Sequence, residues 1–224
     1  DKDGFTTADG DCNDCDSNVN PGAIEVPTDP DDPMAQMVDE DCDGDIDELI
    51  GTCDAGIAFD APDPESAAKA MDLCDTATAM GKEYGVIEAF WAHANGSPAD
   101  PTQLPQYGIQ SNFGPNVQTQ AGDNMLVLSS GFARLPGQQG AATDNNGSAQ
   151  GFASLTPPAG FPQNVPGCDG GMDIYDDIAL TLRLRAPTNA TGFKYRFKFY
   201  SFEFAEYVCT NFNDQYIALV TPPP

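Results

Sequence analysis

Positive charge is what this chain has least of. It carries nine Lys+Arg against 35 Asp+Glu in 224 residues, a net charge of −26 with its one histidine neutral. That balance argues against nucleic acid as a partner, because neutralising phosphates takes clustered Lys and Arg. It also disfavours an anionic membrane surface, which attracts polybasic segments. No apolar run approaches the ~20 residues of a spanning helix, so direct membrane insertion is not expected. The opening DKDGFTTADG has neither the basic nor the apolar region of a signal peptide. GxSxG is absent, and the single histidine, His93, leaves little for a Ser-His-Asp triad. At roughly 150 residues per domain, the length suits one large domain or a domain with a small module.

What is present is acid, unevenly placed. Residues 1–50 hold 14 Asp and three Glu against Lys2 alone, a net of −16, and the other 174 residues carry −10. A stretch this acidic and poor in aromatics is commonly an unstructured, solvating arm. Its Asp, however, far outnumber its Glu and recur at alternate positions beside Gly, Asn and Cys. A solvating arm has no reason to space the shorter carboxylate, whereas a hard cation does. Short carboxylates at i, i+2 and i+4 of a tight loop can converge on one point.

The clearest run, DEDCDGDIDE over 39–48, places Asp39, Asp41 and Asp43 at positions 1, 3 and 5 of an EF-hand-like loop and Gly44 at the turning position 6. Asp45 would offer its carbonyl and Asp47 a carboxylate or a water. Ile50 stands where the bidentate Glu belongs, and Glu48 is its expected substitute. The first run, DKDG followed by GDCNDCD, offers Asp1, Asp3, Asp11, Asn13, Asp14 and Asp16. The Pro-Gly turn of VNPGAIE then returns Glu25 toward the acidic cluster. An all-oxygen set selects Ca²⁺ over zinc or copper, with Mg²⁺ disfavoured because it dehydrates reluctantly. Two or more Ca²⁺ are expected. The alternative of zinc or copper through Cys12, Cys15 and Cys42 lacks a second CxxC and a nearby histidine.

GDCNDCDSNVNPGAIE followed by DEDCDGDIDE resembles the MopE-type metal-binding repeat, related to EF-hand and thrombospondin-3-like repeats, found in secreted proteins of myxobacteria and their relatives. The usual form is DxDG…GDCNDxDxxVxPGAxE…DxDCDGxxDE. The likeness covers about the first 50 residues and implies an extracellular, metal-ordered module. In this chain Val26-Pro27-Thr28 replaces the usual cysteine after PGAxE, and Cys15 is additional.

Seven cysteines point to an oxidising compartment, and they cannot all pair internally. The count alone leaves 105 schemes, seven choices of odd thiol times fifteen pairings of the rest. The expected pairs are Cys168–Cys209, Cys53–Cys74 and Cys12–Cys42. No cysteine has a basic neighbour that would make it a nucleophile.

Beyond residue 52, Asp63-Pro64-Glu65-Ser66 reads as a helix start, with apolar periodicity for one helix of about 13 residues before Gly81. Residues 84–94 (YGVIEAFWAHA) favour a strand, with His93 in a hydrogen-bonded structural position. Residues 95–172 read as long loops between short strands. Residues 178–185 (IALTLRLR) and 193–204 (FKYRFKFYSFEF) alternate strictly, and 216–220 adds another strand. The expected fold is mainly β: an antiparallel β-sandwich with one helix, preceded by a small loop-rich calcium-binding module. The expected division is a metal module at 1–52, a helical connector at 53–83 and the sandwich at 84–224.

Phe199-Tyr200-Ser201-Phe202-Glu203-Phe204-Ala205-Glu206-Tyr207-Val208, with the later Phe212-Asn213-Asp214, resembles the choice-of-anchor L domain. GDNMLVLSSG at 122–131 and RAPTNATG at 185–192 fit its myxobacterial form. The resemblance spans roughly 53–224 and implies a secreted or surface protein. It also implies a β-domain continuing past Val-Thr-Pro-Pro-Pro, so a fragment of a longer protein is expected. Glu203, Glu206, Asn213 and Asp214, with Asp176 or Asp177, form a second candidate metal site; solvated strand-end carboxylates are the alternative.

The functional expectation is a secreted or cell-surface calcium-binding structural or adhesion protein without catalysis, its partners being other copies of itself or surface polysaccharide. The alternatives are a lectin-like carbohydrate-binding module and a glycosidase built on Glu203 and Glu206. Those two lie three apart on one segment and face opposite sides, which disfavours the pair.

Overall fold

A computed structural model of the chain describes residues 1–32, 35–48, 51–100, 105–142, 156–163, 165–168, 174–201, 204–210 and 214–221. Among them the regular elements are a 3₁₀ turn at Thr7–Asp9, one short α-helix, α1 (Pro64–Lys69), and four strands: β1 (Gly85–Ala92), β2 (Tyr107–Gln110), β3 (Met125–Leu128) and β4 (Ala179–Arg185). β1 pairs with β4 and β2 with β3, giving two small antiparallel sheets. The described residues are therefore mainly β with a single α-helix, as expected.

The helix is shorter than its periodicity suggests, six residues in place of about 13. Asp63 starts it by accepting the Ser66 N–H, and Pro64 fills the first turn, where a missing N–H costs nothing. It stops because Met71 and Leu73 both donate to the Ala68 carbonyl while Asp72 turns into the left-handed region at φ 61°. Cys74 is then tied back to Cys53.

The expected strands at 193–204 and 216–220 carry no ladder among the described residues. Their alternation is intact in the sequence, but Phe193, Tyr195, Phe197 and Phe199 are exposed. Alternation predicts which side chains share a face; it does not supply a neighbouring strand to bond the backbone.

The chain divides into two compact units, one made of 1–90, 109–126 and 180–194, the other of 91–108, 127–179 and 195–224. In the first, Phe5, Val19, Ala23, Ala67, Ala68, Val86 and Ile109 are buried. Gly85 starts β1 at φ 123°, where a Cβ would lie 2.4 Å from the Asp75 carbonyl oxygen. That closeness lets Val86 donate to Asp75 and Ala77 donate to Val86. Arg185, at the end of β4, gathers the 78–83 turn by donating to the carbonyls of Thr78, Ala79 and Glu83.

In the second unit Trp91 lies against Tyr107, ring centroids 4.5 Å apart, and the Arg134 guanidinium donates to the Tyr107 carbonyl. His93 is half-buried with its Nδ1 3.4 Å from Asp177 Oδ1, but neither atom makes a hydrogen bond, so the hydrogen-bonded position expected of this histidine is not found at Nδ1. Ala94 donates to the other oxygen of the same carboxylate.

All three expected disulfides form: Cys12–Cys42, Cys53–Cys74 and Cys168–Cys209. Cys15 is the odd thiol, and it is exposed.

Candidate metal centre

The acidic runs fold as successive turns in which each Asp caps the backbone just ahead of it. Asp1 accepts from the Asp3 N–H, Asp3 from Phe5, Asp11 from Asn13, Asp41 from Asp43 and Asp43 from Asp45. A short carboxylate that bonds two residues on bends the chain and leaves its second oxygen free to face inward. Gly44 sits at φ 103°, the left-handed conformation that its position 6 requires. Asp39 closes this loop, its two oxygens accepting from Asp43 and Gly44.

Three groups of carboxylates converge, each with one oxygen per residue lying within 4.8 Å of the others: Asp1, Asp3 and Asp11; Glu25, Asp41 and Glu48; and Asp39, Asp41 and Asp43. The disulfide Cys12–Cys42 joins the two runs, with Cys12 next to Asp11 and Cys42 between Asp41 and Asp43. Asp14, Asp16, Asp45 and Asp47 lie outside these groups. Asp16 instead accepts from the Asn18 backbone and side chain, Asp47 accepts from Thr28, and Asn13 is exposed. Ile50 lies outside the described residues, as do Glu203 and Asn213 of the second candidate site. Asp214 of that site accepts from Ser130 and Ser201, each at 3.1 Å.

The Asp1–Asp3–Asp11 group is the one that most resembles a cation site. Asp11 is 3% exposed. Its Oδ1 takes the Asn13 N–H, but its Oδ2 is shielded from solvent and has no hydrogen-bond partner, and Asp3 Oδ2 is in the same condition. A buried carboxylate oxygen without a donor is costly, and a hard cation is the natural counter-charge among all-oxygen neighbours. The donors fit Ca²⁺ in softness and in number of short carboxylates.

Glu25 has a different task from that of a simple ligand. It is 7% exposed, and both its oxygens are used by the backbone of the second run: Oε1 accepts from Glu40 at 2.7 Å and Asp41 at 3.2 Å, and Oε2 from Asp47 at 2.8 Å. The Pro-Gly turn does return Glu25 to the acidic cluster, where it organises the loop. Three carboxyl groups around it titrate above the usual carboxylate range. Burial raises Glu40, with the charges of Glu25 and Asp47 adding to it. Burial likewise raises Asp41, helped by Asp43, Glu25 and Asp39. At Glu48 an internal backbone hydrogen bond pulls downward, but burial and the charges of Glu25, Asp41 and Asp43 outweigh it. A bound divalent cation would relieve this like-charge crowding.

The body of the chain also holds the module, which the motifs alone do not reveal. Lys82 donates to the Gly4 carbonyl at 2.6 Å, pairs with Asp9 at 3.1 Å and lies 4.8 Å above the Phe5 ring. Asn20, fully buried, accepts from Gly22 and from the Thr188 hydroxyl through its Oδ1, and its N–H donates to Glu40. Nothing in the local sequence pairs residue 20 with residue 188. No protein-family model, curated protein or solved structure matches the chain.

Proposed function

We propose that this is a secreted or cell-surface calcium-binding protein of structural or adhesive type, with calcium ordering its first 50 residues. The observation that carries the reading is the buried, unpartnered Oδ2 of Asp11 inside the Asp1–Asp3–Asp11 group. The paired carboxylate runs and the three disulfides, which suit an oxidising compartment, support it. Asp1, Asp3 and Asp11 would hold one ion and Asp39, Asp41 and Asp43, with Glu48, another. The ion supplies counter-charge and cross-links loops; the chain's own turns pre-set the oxygens. On this reading the N-terminal portion is a MopE-type repeat, the remainder a choice-of-anchor L β-sandwich, and no catalysis is assigned.

A second reading, a carbohydrate-binding module, is favoured by one feature. Tyr195, Phe197 and Tyr216 form an exposed aromatic row, with Phe197 stacked on Tyr216 at 4.7 Å and tilted against Tyr195 at 5.8 Å. Such a row suits the apolar face of a sugar.

The test is calorimetric titration of metal-stripped protein with CaCl₂, repeated with MgCl₂, and melting in the presence and absence of Ca²⁺. Binding of Ca²⁺ with a higher melting temperature, and its weakening in Asp11→Asn, are the expected results. A flat titration together with an unchanged melting curve would overturn the calcium reading. Retention on an immobilised polysaccharide that is lost in Phe197→Ala would favour the second reading.

A further inference from the structure

The second acidic run is held by a residue 165 positions away from the peptide it grips. Asn189 follows β4, and its side-chain amide embraces Ile24: Ile24 N–H donates to Oδ1 at 3.1 Å, and Nδ2 donates to the Ile24 carbonyl at 2.8 Å. The neighbouring Thr188 N–H donates to the Gly22 carbonyl at 2.9 Å. The Ile24 carbonyl belongs to the peptide that leads into Glu25. Fixing both polar groups of Ile24 therefore fixes the backbone from which the Glu25 side chain departs. That side chain, in turn, collects the N–H groups of Glu40, Asp41 and Asp47. The chain of contacts runs from Asn189 to Ile24, to Glu25, to the backbone of the loop that bears Asp39, Asp41 and Asp43. All of these residues belong to the same compact unit.

We infer that Asn189 is a positioning residue for the cation site of the second run: by gripping the Ile24 peptide it aims Glu25, which pre-sets the loop carrying Asp39, Asp41 and Asp43. This rests on the calcium reading above. A backbone amide pair has the same logic as the outer-shell groups that orient metal ligands without touching the metal. Residues outside the acidic module thus set its affinity, and calcium bound in the module stabilises the β4 exit in return, because coupling between linked equilibria is reciprocal. The side-chain hydrogen bonds that lead on from Ile24 through Glu25 go to the backbone of the second run. The effect of an Asn189 substitution should therefore fall on the second run.

The experiment compares the wild-type chain with Asn189→Ala, and uses Val86→Ala as a control that removes buried apolar volume from β1 of the same unit without touching Ile24. Calcium affinities are read by calorimetry, and the exchange of the Glu40, Asp41 and Asp47 amides by hydrogen–deuterium NMR in metal-free and calcium-loaded protein. Expected in Asn189→Ala are roughly tenfold weaker binding at one site, the other unchanged, and faster exchange of those three amides even without metal. Val86→Ala should lower the melting temperature and leave both affinities in place. Wild-type binding with unchanged affinities in Asn189→Ala would overturn the inference and leave the calcium reading standing. Equal weakening of both sites, or the same weakening in Val86→Ala, would reduce Asn189 to a general stabiliser and also overturn it. If the wild-type chain binds no calcium, the calcium reading fails and takes the affinity claim with it. Unchanged amide exchange in metal-free Asn189→Ala would then remove the grip itself. Should Asn189→Ala fail to fold, Asn189→Asp serves in its place: it keeps the acceptor for Ile24 N–H and turns the donor to the Ile24 carbonyl into a repulsive oxygen.

Discussion

Replacing Glu25 with glutamine isolates what one buried carboxylate does for the acidic module. The substitution keeps the volume, so packing around a residue that is 7% exposed should be little disturbed. The hydrogen bonding does change. In the native chain Oε1 serves Glu40 and Asp41, and Oε2 serves Asp47 at 2.8 Å. Glutamine can keep its oxygen toward Glu40 and Asp41, but its NH₂ group then confronts the Asp47 N–H, two donors facing each other. One charge-assisted bond is lost and a part-buried amide is left without an acceptor, while the two surviving bonds weaken because the acceptor is neutral. Losing an acceptor to a buried group costs about 1–3 kcal/mol, and about 2 kcal/mol is expected here. Removing a negative charge from beside Glu40, Asp41 and Glu48 offsets part of that, so the upper end of the range is not reached. For a chain of this size ~2 kcal/mol corresponds to a melting shift of roughly 4–8 °C. Calorimetric melting of metal-stripped protein measures it without any contribution from bound ions. If Glu25→Gln melts within ~1 °C of the wild type, Glu25 does not organise the loop and the reasoning is wrong.

The titration of Tyr84 gives a second check. Burial, with Asp75, Asp41 and Glu48 nearby, pushes its phenol up to about 12 from 10.0. The folded state then holds the proton more tightly than the unfolded state, so this contribution to stability is complete below pH ~10 and is lost as pH rises through about 12. Absorbance titration should therefore show one late phenol fewer in Tyr84→Phe; an identical curve would contradict the placement. The disulfide joining the two acidic runs closes a separation of 30 residues, for which loop entropy gives about 3–4 kcal/mol. Cys12→Ser with Cys42→Ser should lose a comparable amount in urea unfolding and weaken calcium binding, and a double variant with wild-type affinity would show that the runs bind independently.

Much of the candidate site is legible in the sequence because its ligands are local. Carboxylates at alternate positions around Gly44 converge through turns that each residue makes with its near neighbours, so spacing alone predicts Asp39, Asp41 and Asp43 together. Glu25 is legible only in part: the Pro-Gly turn announces its return, but not that both its oxygens would go to backbone amides. Asp14, Asp16 and Asp45 show the limit of counting carboxylates, since a residue in an acidic run can equally face water. In the body, alternation marks β4, and β-branched and aromatic content marks β1, which pairs with it. Alternation marks 193–204 and 216–220 just as strongly, although no ladder forms on the described part of either segment.

By itself, then, the sequence settles the charge, its concentration in the first 50 residues, the mainly β character and the turn chemistry of the two acidic runs. These follow from short-range geometry and composition, which a chain carries wherever it folds. The choice among the 105 cysteine schemes belongs to the fold. The tertiary structure alone decides that Asp3 and Asp11 each keep an oxygen shielded from water and without a hydrogen-bond partner. It alone decides that Glu25 holds a loop, and that Lys82, Thr188 and Asn189 hold the module from the body, Thr188 through the buried Asn20. Burial and long-range hydrogen bonds are properties of what the rest of the chain brings alongside a residue, and contacts 165 positions apart leave no periodicity to read.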